Sequence, residues 1–525
     1  MKNKILIIIY LIIYSVSFGQ NKSKEINSDF YKSIPQEKIY THVNSNFLLS
    51  GETLLYKIYC LNKLTNIKSK LSKLAYVELI NKDKISIIKQ KIFLSNGAGN
   101  GEIFIKPEYI TGNYKLIVYT KWMQNQDLYF ETDLAIINPF LNKISNNKSQ
   151  LTHNKNVVIG EKGKNSTIST NKNIFNKRDK VTIKLNDVIA GDYSLSVKKI
   201  DPQIFSKQTS LNYTNSSNNI NKQTDSIFLP DFRGNLIQGK IFSTNNNHSV
   251  SNLRVGLSVI QKEGFFKFAN TKKDGTFYFN LSEQKYNDKI FLQVLDNINY
   301  TDSLQIKLLN NRKFNSEKLA FSDIKTDSII NKIIDDRSKY LQIENAYNNV
   351  KKDSIISKKR EEFFKGYTFK TFKLDNYTRF ESLKETMTEI VNGAWIRKKG
   401  NDYEFRIRQI NKDYLSELPL IIIDGFIIKN HSDLVEINTK KINKISLDFN
   451  THIFNSKIYE GIIYIETFSG NYEPINKKNI YTFNLLPENL NKNKFKQVYT
   501  ENNKKTRIPD YRLQLYWNPN INNHN

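Results

Sequence analysis

The sequence predicts a mainly β chain: tandem antiparallel β-sandwiches, then one long helix, then a small α+β unit. Three observations predict it. Alternating apolar and polar runs recur from residue 36 to residue 310, parted by Gly, Asn and Asp turns, which is the spacing of antiparallel strands. Near residue 326 the apolar period changes to that of a helix. Beyond residue 371, short strands and a short helix are interleaved.

The first segment is a leader. Lys2 and Lys4 precede an almost unbroken apolar run from Ile5 to Phe18, and Ser17, Gly19 and Gln20 supply a cleavage point. This is the pattern of a secretory signal peptide over 1–20. A spanning helix needs roughly 20 apolar residues, which this run does not reach. No Cys sits just after it and no later stretch is long enough to span. The expectation is export to the periplasm or the outer-membrane surface, without an integral span after cleavage.

Residues 36–140 read as a sandwich, with strands at Lys38–Val43, Thr53–Leu61, Leu74–Ile80, Ser86–Phe93, Gly101–Ile105 and Gly112–Tyr119. The glycines between Asn96 and Gly101 read as a turn, because no Lys-Ser/Thr pair follows as in a phosphate loop. Residues 141–172, rich in Asn, Lys and Ser, read as a linker. A second β segment follows over 173–225, with alternation at Val181–Leu185 and Tyr193–Val197, and then a polar loop. Residues 228–312 form another sandwich, in which Asp274-Gly275 marks a hairpin.

An amphipathic helix is expected over 326–351. Ile330, Ile333, Ile334, Leu341, Tyr347 and Val350 line one face, and Asp327 or Ser328 caps it. The α+β unit spans 371–470. It holds a short helix around Leu383, Met387 and Ile390, a strand near Tyr403–Arg408, the apolar strand Leu420–Ile423, a turn at Asp424-Gly425, and strands at Ile442–Phe449 and Gly461–Phe468. Residues 471–525 read as an irregular tail.

The formal charge of +28 is spread along the chain. Nucleic-acid binders concentrate charge on a recognisable module, so no nucleic-acid partner is expected. A lysine-rich surface suits anionic lipopolysaccharide or acidic partners. Cys60 is the single cysteine. It excludes an intrachain disulfide and, within an alternating strand, reads as a buried thiol. His42, His153, His248, His431, His452 and His524 show no ligand spacing, so no metal or cofactor is expected. No nucleophile elbow, zinc-protease motif or P-loop is present. No catalytic residue is assigned.

Several stretches resemble known envelope modules. Glu37-Lys-Ile-Tyr-Thr-His42, Leu49-Ser-Gly-Glu-Thr53, Tyr76-Val-Glu-Leu79 and Gly112-Asn-Tyr-Lys-Leu-Ile-Val-Tyr-Thr120 with Trp122-Met123 resemble a macroglobulin-like domain at the start of large Bacteroidota envelope proteins. Leu229-Pro-Asp-Phe-Arg-Gly-Asn-Leu-Ile-Gln-Gly-Lys-Ile241 with Lys273-Asp-Gly-Thr-Phe277 resembles the carboxypeptidase-regulatory-like sandwich, a fold name without peptidase activity. Pro419-Leu-Ile-Ile-Ile-Asp-Gly-Phe426, Ile442-Asn-Lys-Ile445 and Gly461-Ile-Ile-Tyr-Ile465 resemble the plug of TonB-dependent receptors. The residues after 470 are too few for a receptor's barrel, and Cys60 lacks the neighbours of a thioester.

The resemblance implies a non-catalytic interaction protein that docks on an outer-membrane or periplasmic protein, with Asp424, Gly425 and Phe426 as the docking candidates and an exposed sheet edge as the means. The alternative is a glycan-, peptide- or chelate-binding accessory component of a TonB-dependent uptake system, with Trp122, Trp395 and Trp517 as stacking candidates. A hydrolase is the third reading, without a motif to carry it.

Overall fold

The computed structural model describes residues 34–523 apart from 142–167, 187–188, 201–227, 246–247, 282–288, 297, 310–313, 325–327, 348–351, 356–363, 365, 409–416, 475–477, 487–491 and 502–504. The expected signal peptide, most of the 141–172 stretch, the expected 201–225 loop, Asp327, Val350, His153 and His524 therefore lie outside the described residues. The chain is mainly β, as its alternation predicts. Among the described residues no helix is long and apolar enough to cross a membrane.

The first unit contains β1 (Glu37–Val43), β2 (Phe47–Leu49), β3 (Thr53–Asn62), β4 (Leu74–Ile80), β5 (Ser86–Phe93), β6 (Ala98–Phe104), β7 (Gly112–Tyr119) and β8 (Phe130–Ile137). They form two sheets in the orders β1-β3-β6 and β2-β8-β7-β4-β5. All pairs are antiparallel except β2 with β8. Strict alternation on β1 turns Ile39 and Val43 inward, onto a core with Tyr56, Ile58, Val77, Leu116 and Ile136. β4 is buried along its whole length. Its second face is covered from outside, where Leu319 and Phe314 pack on Tyr76, Ile80 and Tyr119.

β9 (Ile168–Thr170) pairs with β10 (Ile183–Leu185), so the end of the expected linker is a strand. β11 (Gly191–Lys198) follows. The next sandwich holds β12 (Asn235–Ser243), β13 (Arg254–Val259), β14 (Phe265–Asn270), β15 (Thr276–Leu281), β16 (Lys289–Val294) and β17 (Leu304–Leu308). Gly239 lies under the Phe277 ring, where a Cβ would come within 2.2 Å of it. Only glycine leaves room there.

Helix α1 (Ser328–Ala346) lays Ile330 and Ile334 on Leu49 and Ile137 of the first unit. Past α1 come β18 (Ser354–Ile355) and β19 (Lys370–Lys373). Helix α2 (Leu383–Glu389) is started by a capping box, in which Ser382 and Glu385 each accept the other's backbone N–H. Then come β20 (Ala394–Lys399), β21 (Asp402–Ile407), β22 (Leu420–Ile423), β23 (Phe426–Ile428), β24 (Ile442–Phe454) and β25 (Lys457–Thr467). One five-stranded sheet has the order β19-β24-β25-β22-β23.

The residues after 470 correct the expectation of an irregular tail. β26 (Ile480–Asn484) adds a fourth strand beside β16, β27 (Lys492–Asn493) pairs with β18, and β28 (Gln514–Asn523) pairs with β11. Each partner lies far away in sequence. β27 is two residues long and β28 is rich in Asn, so neither carries enough apolar alternation to be read without its partner.

The units share buried contacts. Asp231, at the head of the second sandwich, accepts from Lys121 Nζ at 2.8 Å and Tyr76 Oη at 2.9 Å on the first. Phe266 and Leu295 of the second sandwich share one apolar cluster with Ile422, Ile427, Ile462 and Tyr464 of the α+β unit.

Candidate functional site

The expected docking turn is where the α+β unit meets the second sandwich. Asp424 and Gly425 take positive φ values of 50° and 90°, the conformation of a two-residue hairpin turn. The turn points inward, and Asp424 and Phe426 are 2% and 3% exposed. The Asp424 carboxylate accepts from Thr467 N at 2.8 Å, Thr467 Oγ1 at 2.6 Å and Tyr472 N at 3.1 Å. Burial pushes its pKa above the ordinary value despite these bonds. The Asp424 carbonyl accepts from Gln261 N at 3.2 Å. A Cβ on Gly264 would lie 1.9 Å from that same oxygen. This corrects the assignment of Asp424, Gly425 and Phe426 as a free docking surface: the chain itself occupies them.

The sheet edge beside the turn is sealed in the same way. Ile427 N–H on β23 donates to Ser258 Oγ at 3.1 Å, and Ile427 O accepts from Gln293 Nε2 at 2.7 Å. Lys429 Nζ donates to the carbonyls of Val294 at 3.1 Å and Asp296 at 2.8 Å. Side chains of the second sandwich thus fill the places a partner strand would take. Ser258 and Gln293 are polar residues within apolar strands, and buried polar groups need partners. That was the sequence signal for this junction.

The opposite edge is different. β19 pairs only with β24, and no strand lies on its outer side among the described residues. Phe372 is buried, whereas Lys370, Thr371 and Lys373 are exposed.

The sequence-predicted aromatic candidates separate. Trp122 is fully buried and donates Nε1–H to Pro35 O at 3.0 Å. Trp517 is buried with its ring 5.2 Å from that of His42. Trp395 is 48% exposed on the β20–β21 hairpin. Sequence reasoning missed a cleft of about 640 Å³ where β11 crosses β1 and β3, lined by Tyr40, His42, Tyr59, Asp192 and Tyr193. Tyr40 and Tyr59 stack 6.3 Å apart. His42 Nδ1 lies 2.7 Å from Ser194 Oγ. Burial, then Lys198, lowers the pKa of His42.

His248, His431, His452 and Cys60 are packing groups. His431 is buried and accepts Phe405 N–H at 3.1 Å, and burial brings its pKa down to about 4. His248 stacks on Tyr300 and His452 on Tyr367. Burial, then Glu37, raises the Cys60 thiol well above its ordinary range, so it stays protonated. Among the described residues no three His, Cys, Asp or Glu side chains gather as a metal would require.

No family model matches the chain, and no curated protein matches it. The solved structures similar to it include an alpha-2-macroglobulin of Salmonella reacted with methylamine, at 9% identity and a TM-score of 0.17, covering 55% of this chain and 14% of that one. The native conformation of the Escherichia coli alpha-2-macroglobulin matches at 9% identity and a TM-score of 0.18, covering 88% and 21%. A tandem-repeat region of a large adhesion protein matches at 7% identity and a TM-score of 0.15, covering 83% and 100%. The chain spans about a fifth or less of the two macroglobulins' length. Superpositions this loose carry no argument about what the chain does.

Proposed function

We propose that the chain is an exported, non-catalytic interaction protein of a bacterial envelope, docking on an outer-membrane complex through its plug-like α+β unit. The observation that carries this reading is the asymmetry of the five-stranded sheet. One edge, β23, is closed by the chain's own second sandwich. The other, β19, keeps a row of backbone groups open for a partner strand. The macroglobulin-like and carboxypeptidase-regulatory-like sandwiches act as a rigid stem, held by buried junctions such as Asp231 with Lys121 and Tyr76.

Two measurements test it together: fractionation, and photo-crosslinking from position 371 with position 427 as the sealed-edge control. The expected result is recovery with the envelope and an adduct to an outer-membrane protein from 371 alone. Recovery in the cytoplasm, or equal adducts from both positions, overturns it.

A second reading is an accessory component of a TonB-dependent uptake system that binds a glycan, peptide or chelate. The tyrosine-lined cleft under β11 supports it, since exposed rings pack on apolar faces while their hydroxyls bond polar groups. Screening against polysaccharides should give saturable binding that Tyr59→Ala abolishes with the fold intact. Binding unchanged in that variant removes this reading.

A further inference from the structure

Further along β11, a second cleft opens where four segments meet: the β2–β3 turn, helix α1, the end of β11, and residues 510–514 leading into β28. Its volume is about 670 Å³, within the range of small-ligand sites.

Most of the charges on its walls have a partner. Arg337 donates to both Glu52 carboxylate oxygens, at 2.7 and 2.6 Å, and to Phe47 O at 3.1 Å. Glu52 also accepts Leu49 N–H at 2.8 Å. Asp510 is bonded by Arg512 at 2.7 and 2.8 Å, and Lys494 by Asp353 at 2.8 Å and by Glu102. Asp336 lies 3.9 Å from Lys339, and Glu344 accepts Tyr511 N–H at 2.5 Å.

Among the described residues the Lys198 ammonium, on β11, has neither a hydrogen bond nor an ion pair, although the residue is half-buried and lines the cleft. Burial, then the neighbouring Arg337 charge, lowers its pKa, and the Glu52 charge offsets part of that. The adjacent Lys199 ammonium lies over the Tyr340 ring, 5.9 Å from its centroid. Tyr340 and Tyr511 stack face to face, with centroids 4.7 Å apart and planes 3° from parallel. Tyr511 remains 47% exposed. One wall of the cleft therefore carries partly desolvated positive charge without a direct ion pair, and another presents the exposed Tyr511 ring.

We propose that this cleft binds a small anionic ring compound, a carboxylate or phosphate carried on a sugar-sized ring, with the anion on Lys198 and the ring on the Tyr340–Tyr511 wall. A buried charge favours a counter-charge, and Lys198 is the more buried of the two lysines that line the cleft without a salt bridge among the described residues. This site is separate from the β19 edge, so it stands or falls independently of docking.

The test is calorimetric titration of the purified chain with glucuronate, glucose 6-phosphate and glucose. The two anionic probes should saturate and glucose should not. Their relative affinity tells a carboxylate site from a phosphate site. Lys198→Met keeps the apolar stem and should weaken anion binding about tenfold or more, the loss of one charge-assisted contact. Lys198→Gln provides a second neutral variant should the first unfold. No saturable binding by either anion up to about 10 mM overturns the proposal. So does anion binding undiminished in a folded neutral variant.

Discussion

Two turns in this chain carry the same Asp-Gly dipeptide between apolar strands. At Asp274-Gly275 the aspartate is exposed. Its carboxylate accepts from Thr276 N at 3.0 Å and Thr276 Oγ1 at 2.7 Å, two residues on. At Asp424-Gly425 the aspartate is buried, and its carboxylate reaches Thr467 and Tyr472, 43 and 48 residues away. The first turn corrects the expected hairpin: it links β14 and β15, which lie in two different sheets, and its carboxylate bonds stay local. The second holds two units together. Turn chemistry is local, whereas the surface that abuts a turn is chosen by the rest of the fold.

The largest expected effect comes from filling the gap between the units. Gly264→Ala places a methyl against the Asp424 carbonyl, where the closest approach would be 1.9 Å. Backbone must move, so a loss of about 3 kcal/mol or more is expected in urea unfolding. A near-neutral result would mean that the turn is not wedged as described.

Asp424→Ala comes next. It leaves the Thr467 and Tyr472 amides without their buried acceptor, at an expected cost of about 3 kcal/mol. Asp274→Ala, at a solvated turn, should leave the unfolding midpoint almost where it was. Equal losses in the two variants would break the comparison.

Ser258→Ala is milder. It strips Ile427 N–H of its partner on the sealed edge, and about 1 kcal/mol should be lost. Differential scanning calorimetry would measure it.

The smallest effect is in pH, where the two aspartates should act in opposite directions. Burial raises Asp424 above its ordinary 3.8. Its contribution is therefore fully present below 3.8 and is lost as pH rises through the raised value. Bonds from Thr276 lower Asp274 below 3.8. Its contribution is present above 3.8 and is lost as pH falls through the lowered value. The stability of the wild type minus Asp424→Asn should fall with rising pH, and that of the wild type minus Asp274→Asn with falling pH. Two slopes of one sign would contradict this assignment.

The same contrast explains what was legible in the sequence. Strands such as Glu37–Val43 and Leu420–Ile423 were readable because alternation or continuous apolarity reports burial directly. The short helix after Thr378 was readable, and its cap at Ser382 is a local pattern. The sealed edge was half legible: Ser258 and Gln293 stand out as polar residues in apolar strands, but nothing names Ile427 as their partner. The docking candidates were misread because Asp424-Gly425 looks alike whether it faces water or a neighbour. Both clefts were illegible, because each is closed by a ribbon whose strands, Gly191–Lys198 and Gln514–Asn523, are too weakly apolar to find one another on paper.

That ribbon also sets an order of events. Its two strands join residues more than 300 positions apart, a separation that makes pairing slow relative to local hairpins. The first sandwich has its own core and needs nothing from the ribbon to form it. Lys198 and Tyr511, by contrast, become neighbours across a cleft only after every intervening unit has been made and folded. Any ligand recognised there would be invisible to a nascent or clipped chain, so capture would report that synthesis had run through to residue 523.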